Sequence, residues 1–250
     1  MKRKTVIITG STRGIGRGIA LRLARDQHNV VLDYARDEQQ AHATLDLCQQ
    51  VNPNILLVKA GVSQKAEVAS LMQQCVERFG SIDVLINNAA RVADKPLHEL
   101  TEQDWDLVVN TNMKGTFFCA QAAARYMLQQ EEGGLILNIG ASTGIRARKN
   151  GINTCASKAA VMLMTQSIAL ELGPKIRANT IIPGLTRTEE TEQRFHLDHP
   201  DVLRSRVENM PLQRIGTPED VANTVAALLS DDMAFVNGQK IVVDGGQYMW

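Results

Sequence analysis

Two groups of residues in this 250-residue chain have types and spacings suited to chemistry. The first is Gly10-Ser11-Thr12-Arg13-Gly14-Ile15-Gly16, which follows a β-branched run at 5–9 and opens a helical pattern through Ile19, Leu21, Leu23 and Ala24. A glycine turn between a buried strand and a helix lets backbone N–H groups approach a phosphate, with the positive end of the helix dipole behind them. The second group is Thr154 with Lys158. Positions i and i+4 share one helix face, so the Lys158 ammonium stands beside the Thr154 hydroxyl. Cys155 carries a more acidic group, with a reference pKa of about 8.5. It points about 100° around the helix from Thr154, and reads as a core cysteine.

Strand and helix patterns alternate along the whole chain and must position these groups. Strands are predicted at 4–9, 29–33, 55–59, 83–87, 134–140, 176–182 and 240–243, with helical patterns between successive pairs. Such alternation implies parallel pairing, right-handed crossovers and helices on both faces: a doubly wound α/β sheet of the Rossmann type with about seven strands. Ligands in such sheets lie beyond the carboxyl ends of the strands. The glycine loop, Asn88, Ser142 and Pro183 all fall just after strands, so one cleft is expected to collect them. No linker, composition shift or repeat divides the chain, and 1–250 reads as a single domain.

Bulk properties narrow the function class. Basic and acidic residues balance at 27 each, which argues against a nucleic-acid track or an anionic membrane surface. Apolar residues make up 44%, ample for a sheet buried on both faces. No apolar run approaches the roughly 20 residues of a membrane span, and the basic start is cut short by Thr9-Gly10, so a cytoplasmic protein is expected. Cys48, Cys75, Cys119 and Cys155 show no metal-ligand spacing and read as reduced thiols. His196 and His199 are three apart, but Pro200 and the lack of an obvious third ligand argue against a metal, and none is predicted.

Six segments in order give the chain a resemblance. They are the glycine loop, Asn87-Asn88-Ala89-Ala90, Asn112 in 109–115, Lys158 in 156–160, Ile182-Pro183-Gly184 with the 214–222 stretch, and Val243-Asp244-Gly245-Gly246. Together they resemble the short-chain dehydrogenase/reductase family, in particular its ketoacyl-carrier-protein-reductase-like branch, over essentially the whole chain. The resemblance implies a nicotinamide cofactor held by the loop from Gly10 to Gly16, by Val62, Asn88, Ala89 and Ala90, by Lys158, and by Pro183, Gly184 and Thr188. It also implies that Arg13, with Arg36 after the second strand, faces a 2′-phosphate. By alignment the position that selects the cofactor is Tyr34. Asp33, one residue earlier, is expected to point away from the ribose. NADP(H) is therefore favoured over NAD(H). Gly61 stands where the family usually has an Asp at the adenine pocket, so that carboxylate contact is expected to be absent. Ala90 adds a methyl group where the family has glycine.

Similar proteins reduce carbonyls with a Ser, a Tyr four residues before a Lys, that Lys, and an Asn. Carried over, Asn112 and Lys158 match, the Tyr slot holds Thr154, and the Ser slot holds Ala141 with Ser142 beside it. Tyrosine has a pKa of about 10, whereas an alkyl alcohol is nearer bulk water at roughly 15.7, a gap worth about 7 kcal/mol between the two equilibria. A neighbouring Lys cannot bring threonine into working range. Ser142 could serve as a hydrogen-bond donor. Three readings follow. The first is an atypical NADP(H)-dependent oxidoreductase acting on an activated C=C, an imine or a carbonyl needing little acid catalysis. The second is a nucleotide-binding subunit without turnover. The third is a non-redox enzyme for cyclisation, elimination or isomerisation.

The stretch at about 185–211 resembles the family's lid over a small-molecule substrate; its charges and histidines fit a polar substrate or a solvated helix. The resemblance also implies a homotetramer or homodimer. Its interfaces would be the helices bearing Phe117, Phe118, Met162 and Met164, and the terminus Tyr248-Met249-Trp250.

Overall fold

A computed structural model describes residues 2–208 and 210–249. Its strands are β1 (Thr5–Ile8), β2 (Asn29–Tyr34), β3 (Ile55–Lys59), β4 (Val84–Asn87), β5 (Gly134–Ile139), β6 (Ile176–Pro183) and β7 (Lys240–Val243). Each lies within one residue or two of its predicted position. The helices are α1 (Gly14–Arg25), α2 (Glu38–Gln49), α3 (Lys65–Phe79), α4 (Glu102–Val109), α5 (Thr116–Met127), α6 (Ile152–Leu172), α7 (Glu189–Phe195), α8 (Pro200–Val207) and α9 (Pro218–Leu228). Trp250, part of the predicted terminal contact, lies outside the described residues.

All seven strands pair in parallel in the order β3-β2-β1-β4-β5-β6-β7. The order reverses between β1 and β4, and a crevice opens at such a point beyond the strand ends. Pairing of Ile8 with Ile86 brings the loops after β1 and β4 side by side, so Gly10 meets Asn88 there.

Apolar runs buried on both faces make this sheet possible. Along β1, Val6 and Ile8 enter one core with Ile19, Leu23 and Val225, while Ile7 enters the other with Leu71, Met72 and Ile136. Successive strand side chains point to opposite faces, which places α1 and α9 on one side and α3 and α5 on the other. Between α4 and α5 the helix widens into a π segment, Asn110–Gly115, a form concentrated at functional sites. Gly115 permits the close approach of Val62 there: a Cβ at 115 would sit 2.7 Å from Val62 Cγ2.

The predicted lid is two short helices, α7 and α8, seated on a small core of their own. Leu197, Met210 and Ile215 are buried there, packed by Leu185, Phe195, Leu203 and Val207.

Candidate active site

The glycine loop is shaped by hydrogen bonds from three directions. Gly10 and Gly14 adopt φ of +60° and +52°, values that side chains rarely tolerate. A Cβ on Gly16 would lie 2.4 Å from Gly10 O and 2.5 Å from Asn88 Nδ2. Asn88 Nδ2 donates to Thr9 O at 3.0 Å and Gly10 O at 2.8 Å, while Thr9 Oγ1 accepts from the Asn88 and Ala89 N–H groups. From the other side Arg17 Nη2 donates to Thr12 O at 2.7 Å and Thr44 Oγ1 to the same oxygen at 2.8 Å. Neither Arg17 nor Thr44 is visible as a site residue in the sequence, because their role exists only once α2 packs on α1. No side chain caps the start of α1 and no acid lies in its first turn, so its N–H donors remain open to an anion.

One expected cofactor residue is displaced from the cleft. Ser11 is fully buried, and its hydroxyl accepts from Asp33 N at 2.9 Å. It ties the loop to β2 and lines no part of the cleft, because the turn after Gly10 directs it into the sheet. Asp33 does not simply face away: its Oδ2 accepts from Gly10 N at 3.1 Å on the cleft floor, while Oδ1 is buried without a partner. Burial above all raises its carboxyl pKa to about 7, against the hydrogen bond from Gly10 that lowers it. Tyr34 and Arg36 also line the cleft, as do Arg13, Gly14, Ile15 and Gly16 of the loop.

Beside Gly61, which carries no carboxylate, the next helix brings one. Glu67, in the first turn of α3, accepts from Gly61 N at 2.7 Å and lines the cleft, so an acid is present but comes from the next helix. Val62 is buried beside it. Arg91 is a further residue that the sequence did not single out. Its pKa is lowered by burial first and then by the charges of Arg36 and Arg13, and all three arginines line the cleft. Ala90 stands exposed on the cleft wall without the positive φ that would have demanded glycine.

The helix α6 presents Thr154 and Lys158 to the same cleft, both buried. Lys158 Nζ donates to Ile139 O at 2.6 Å, and burial lowers its pKa to about 8. Thr154 Oγ1 donates at 2.9 Å to Asp94 Oδ1, a residue of the loop after β4. Asp94 in turn receives Arg148 Nη2 at 2.6 Å and the Arg194 guanidinium of α7. The threonine hydroxyl is thus part of an ionic cluster drawn from four separate segments, a grouping no local sequence signal reveals. Asn112 lies behind this face. Its Oδ1 accepts from Arg91 N at 2.7 Å, and its Nδ2 donates to Arg91 O at 3.0 Å and Ser157 Oγ at 3.1 Å. Those bonds make it a positioning residue between two walls; it does not line the cleft. Ser142 does line it, in the turn Ser142–Gly144, as do Asn88, Ala89, Pro183 and Gly184.

The lid closes the remaining side. Thr188 caps α7, and its Cγ2 lies 3.3 Å from the place of a Cβ on Gly14. Glu189 reaches Arg17 at 3.6 Å. Between α7 and α8, His196, Asp198 and His199 bring ligand atoms within 4.8 Å of one another, all on exposed side chains. Asp198 is the neighbouring carboxylate that the sequence reading did not pick out. Cys48, Cys75, Cys119 and Cys155 are free thiols, as expected, with burial raising Cys48 to about 11 and Cys75 to about 12.

The cleft measures about 1230 Å³, above the roughly 300–1,000 Å³ of ordinary small-molecule sites, and leaves room for a dinucleotide with a second ligand. Its donors suit such a cofactor: an uncapped helix start, a glycine cradle that a single Cβ would fill, and arginines at the ribose end.

Comparison with known proteins agrees with this geometry. A family model described as enoyl-(acyl carrier protein) reductase matches residues 10–247. The chain is 37% identical over 247 residues to a 3-oxoacyl-[acyl-carrier-protein] reductase of Staphylococcus aureus, covering 98% of both chains. It is 34% identical over 252 residues to a Bacillus subtilis protein named "Probable 2,4-dienoyl-CoA reductase [(2E)-enoyl-CoA-producing]", covering 100% of this chain and 98% of that one. A crystal structure of a short chain dehydrogenase from Bacillus anthracis superposes with a TM-score of 0.87 at 33% identity, over 99% of this chain and 97% of that one. No helix among the described residues is long and apolar enough to cross a membrane.

Proposed function

The chain belongs to the short-chain dehydrogenase/reductase family of oxidoreductases, and on that premise we propose that it is an NADP(H)-dependent reductase of an activated C=C, an imine or a carbonyl. It works without the family's tyrosine acid. The observation that carries the reading is the continuity of the cradle with a pocket where Lys158 and an aspartate-bound Thr154 stand on one helix face. NADPH in that cradle would supply the hydride. Gly10–Gly16 and the start of α1 would hold the pyrophosphate, and Arg13, Arg36 and Arg91 would favour a 2′-phosphate.

At the reacting end the protein offers charge instead of a proton. Thr154 already donates its hydroxyl hydrogen to Asp94, and its acidity is too low for proton delivery at neutral pH. Lys158, Arg148 and Arg194 place positive charge around the slot. Hydride addition to a conjugated acceptor leaves an enolate, which preorganised cations stabilise and water then protonates. The matching family model is named for enoyl reduction and the B. subtilis relative for dienoyl reduction, both at a C=C bond, which supports a C=C acceptor. A nucleotide-binding protein without turnover is the second reading, favoured by the commitment of the Thr154 hydroxyl to Asp94.

Single-turnover loss of NADPH absorbance against a panel of enones, imines and ketones tests the proposal. Oxidation by enones or imines ahead of plain ketones is expected. Tight cofactor binding with no oxidation by any acceptor would remove the reductase reading.

We also infer a homotetramer or homodimer. Phe117 on α5 and Leu163 and Leu170 on α6 are exposed at 43%, 66% and 86%, apolar surface that a second copy would cover. Sedimentation showing only monomer at micromolar concentration would contradict this.

A further inference from the structure

The substrate end of the cleft holds more positive charge than cofactor binding uses. Arg146, Arg148, Arg194 and Arg206 all line it, beside Thr154 and Lys158. They form a connected wall. Arg148 and Arg194 share Asp94. Arg194 and Arg206 lie over the Phe195 ring at 5.1 and 5.5 Å, and Arg146 lies over the Tyr248 ring at 5.7 Å. Against these four stand two carboxylates, Asp94 and Glu190, the latter 3.5 Å from Arg194. Arg146 and Arg206 form no ion pair with any described residue, and Arg148 Nε is buried with no hydrogen-bond partner.

Guanidiniums crowded in one cleft repel each other, and a buried N–H without an acceptor is costly. An anionic oxygen group that enters the cleft relieves the repulsion. Guanidinium planes match the two oxygens of a carboxylate or phosphate, which they bind in paired hydrogen bonds. The cofactor's own phosphates do not meet this need. Its pyrophosphate belongs at the start of α1 and a 2′-phosphate at Arg13, Arg36 and Arg91, whereas this wall is built from the loop after β5, the lid and the C-terminal segment. A neutral acceptor would leave the wall unsatisfied.

We propose that the acceptor reduced here is an anion, a small molecule whose carboxylate or phosphate is gripped by Arg148 and Arg206 with Arg146 and Arg194 beside them. This rests on the reductase reading for the word "acceptor", but the binding of an anion stands separately from it. The same wall places negative substrate charge beneath α7 and α8, so occupancy would link the lid to the body of the protein through Arg194 and Arg206.

The test is calorimetric titration of the NADP⁺-loaded protein with fumarate, its dimethyl ester, and methyl phosphate. One of the two anions is expected to bind at least tenfold more tightly than the ester, and which one does so identifies carboxylate or phosphate. Arg206→Gln, on an exposed residue outside the Asp94 cluster, is expected to weaken that anion about tenfold while NADP⁺ affinity stays within twofold. Arg148→Gln should do the same, and its melting temperature reports whether the cluster still folds. Equal binding of acid and ester, no binding of either anion, or undiminished anion affinity in Arg206→Gln overturns the proposal. Anion binding that needs these arginines, without NADPH oxidation by any acceptor, supports the anion site and removes the reductase reading alone.

Discussion

Replacing Asp33 by Asn should make the protein more stable at alkaline pH and remove the fall in stability between about pH 4 and 7 that the buried carboxyl causes. Asp33 is 2% exposed, with one oxygen on Gly10 N and the other unpartnered. Burial, aided by the charge of Glu67, raises its pKa from 3.8 to about 7 despite the backbone hydrogen bond from Gly10. The sign follows from proton binding. Below pH 4 the carboxyl is protonated in both states and costs nothing. Between pH 4 and 7 the folded protein keeps a proton that the unfolded chain has released, so stability falls as pH rises. Above pH 7 the loss is complete. About 3 units at 1.36 kcal/mol each give a ceiling of about 4 kcal/mol. Asparagine keeps an acceptor for Gly10 N and carries no charge, but its amide nitrogen takes the unpartnered place, at a cost of about 1–3 kcal/mol. A net gain of about 1–3 kcal/mol at pH 8 remains, or several degrees in melting temperature for a chain of this size. Melting of cofactor-free protein at pH 5 and pH 8 measures it. An Asn variant whose stability falls with pH as steeply as the parent's, or that melts lower at pH 8, refutes the reasoning.

Two further outcomes follow from the same site. Arg13→Gln should reduce the preference for NADPH over NADH by about tenfold, read as a ratio of dissociation constants, since one charge-assisted contact is worth about 1.5–3 kcal/mol; equal weakening of both cofactors would show that Arg13 does not meet the 2′-phosphate. Lys158 has a folded pKa lowered by burial to about 8 from 10.5. It therefore loses its ammonium above pH 8, where the unfolded chain still keeps one. NADPH affinity should decline above pH 8 in the parent and show no such limb in Lys158→Met; a parent affinity flat to pH 10 would contradict this.

The parallel sheet was legible because its strands are apolar runs separated by helical periodicity, and burial on both faces leaves such runs little alternative. The cradle was legible for a related reason. Gly10, Gly14 and Gly16 stand where backbone must approach backbone, and glycine alone meets that demand, so the requirement is written in the residue type. Ser11 shows the limit of reading by position. It sits inside the motif, yet the turn directs its hydroxyl into β2.

The chemistry around Thr154 could not be read in the same way. That Thr154 and Lys158 stand together is visible from their spacing of four, because a helix fixes which residues share a face. That the Thr154 hydroxyl is tied to Asp94, and through it to Arg148 and Arg194, depends on partners as far as 60 and 100 positions from Asp94 in the chain. Glu67 answering the carboxylate missing at Gly61 is a similar case. The sequence alone determined the fold and the nucleotide cradle, since both follow from local periodicity and backbone sterics. Tertiary structure decided the charge of the pocket, because Coulomb interactions act through space and the side chains that meet there come from β4, β5 and the lid.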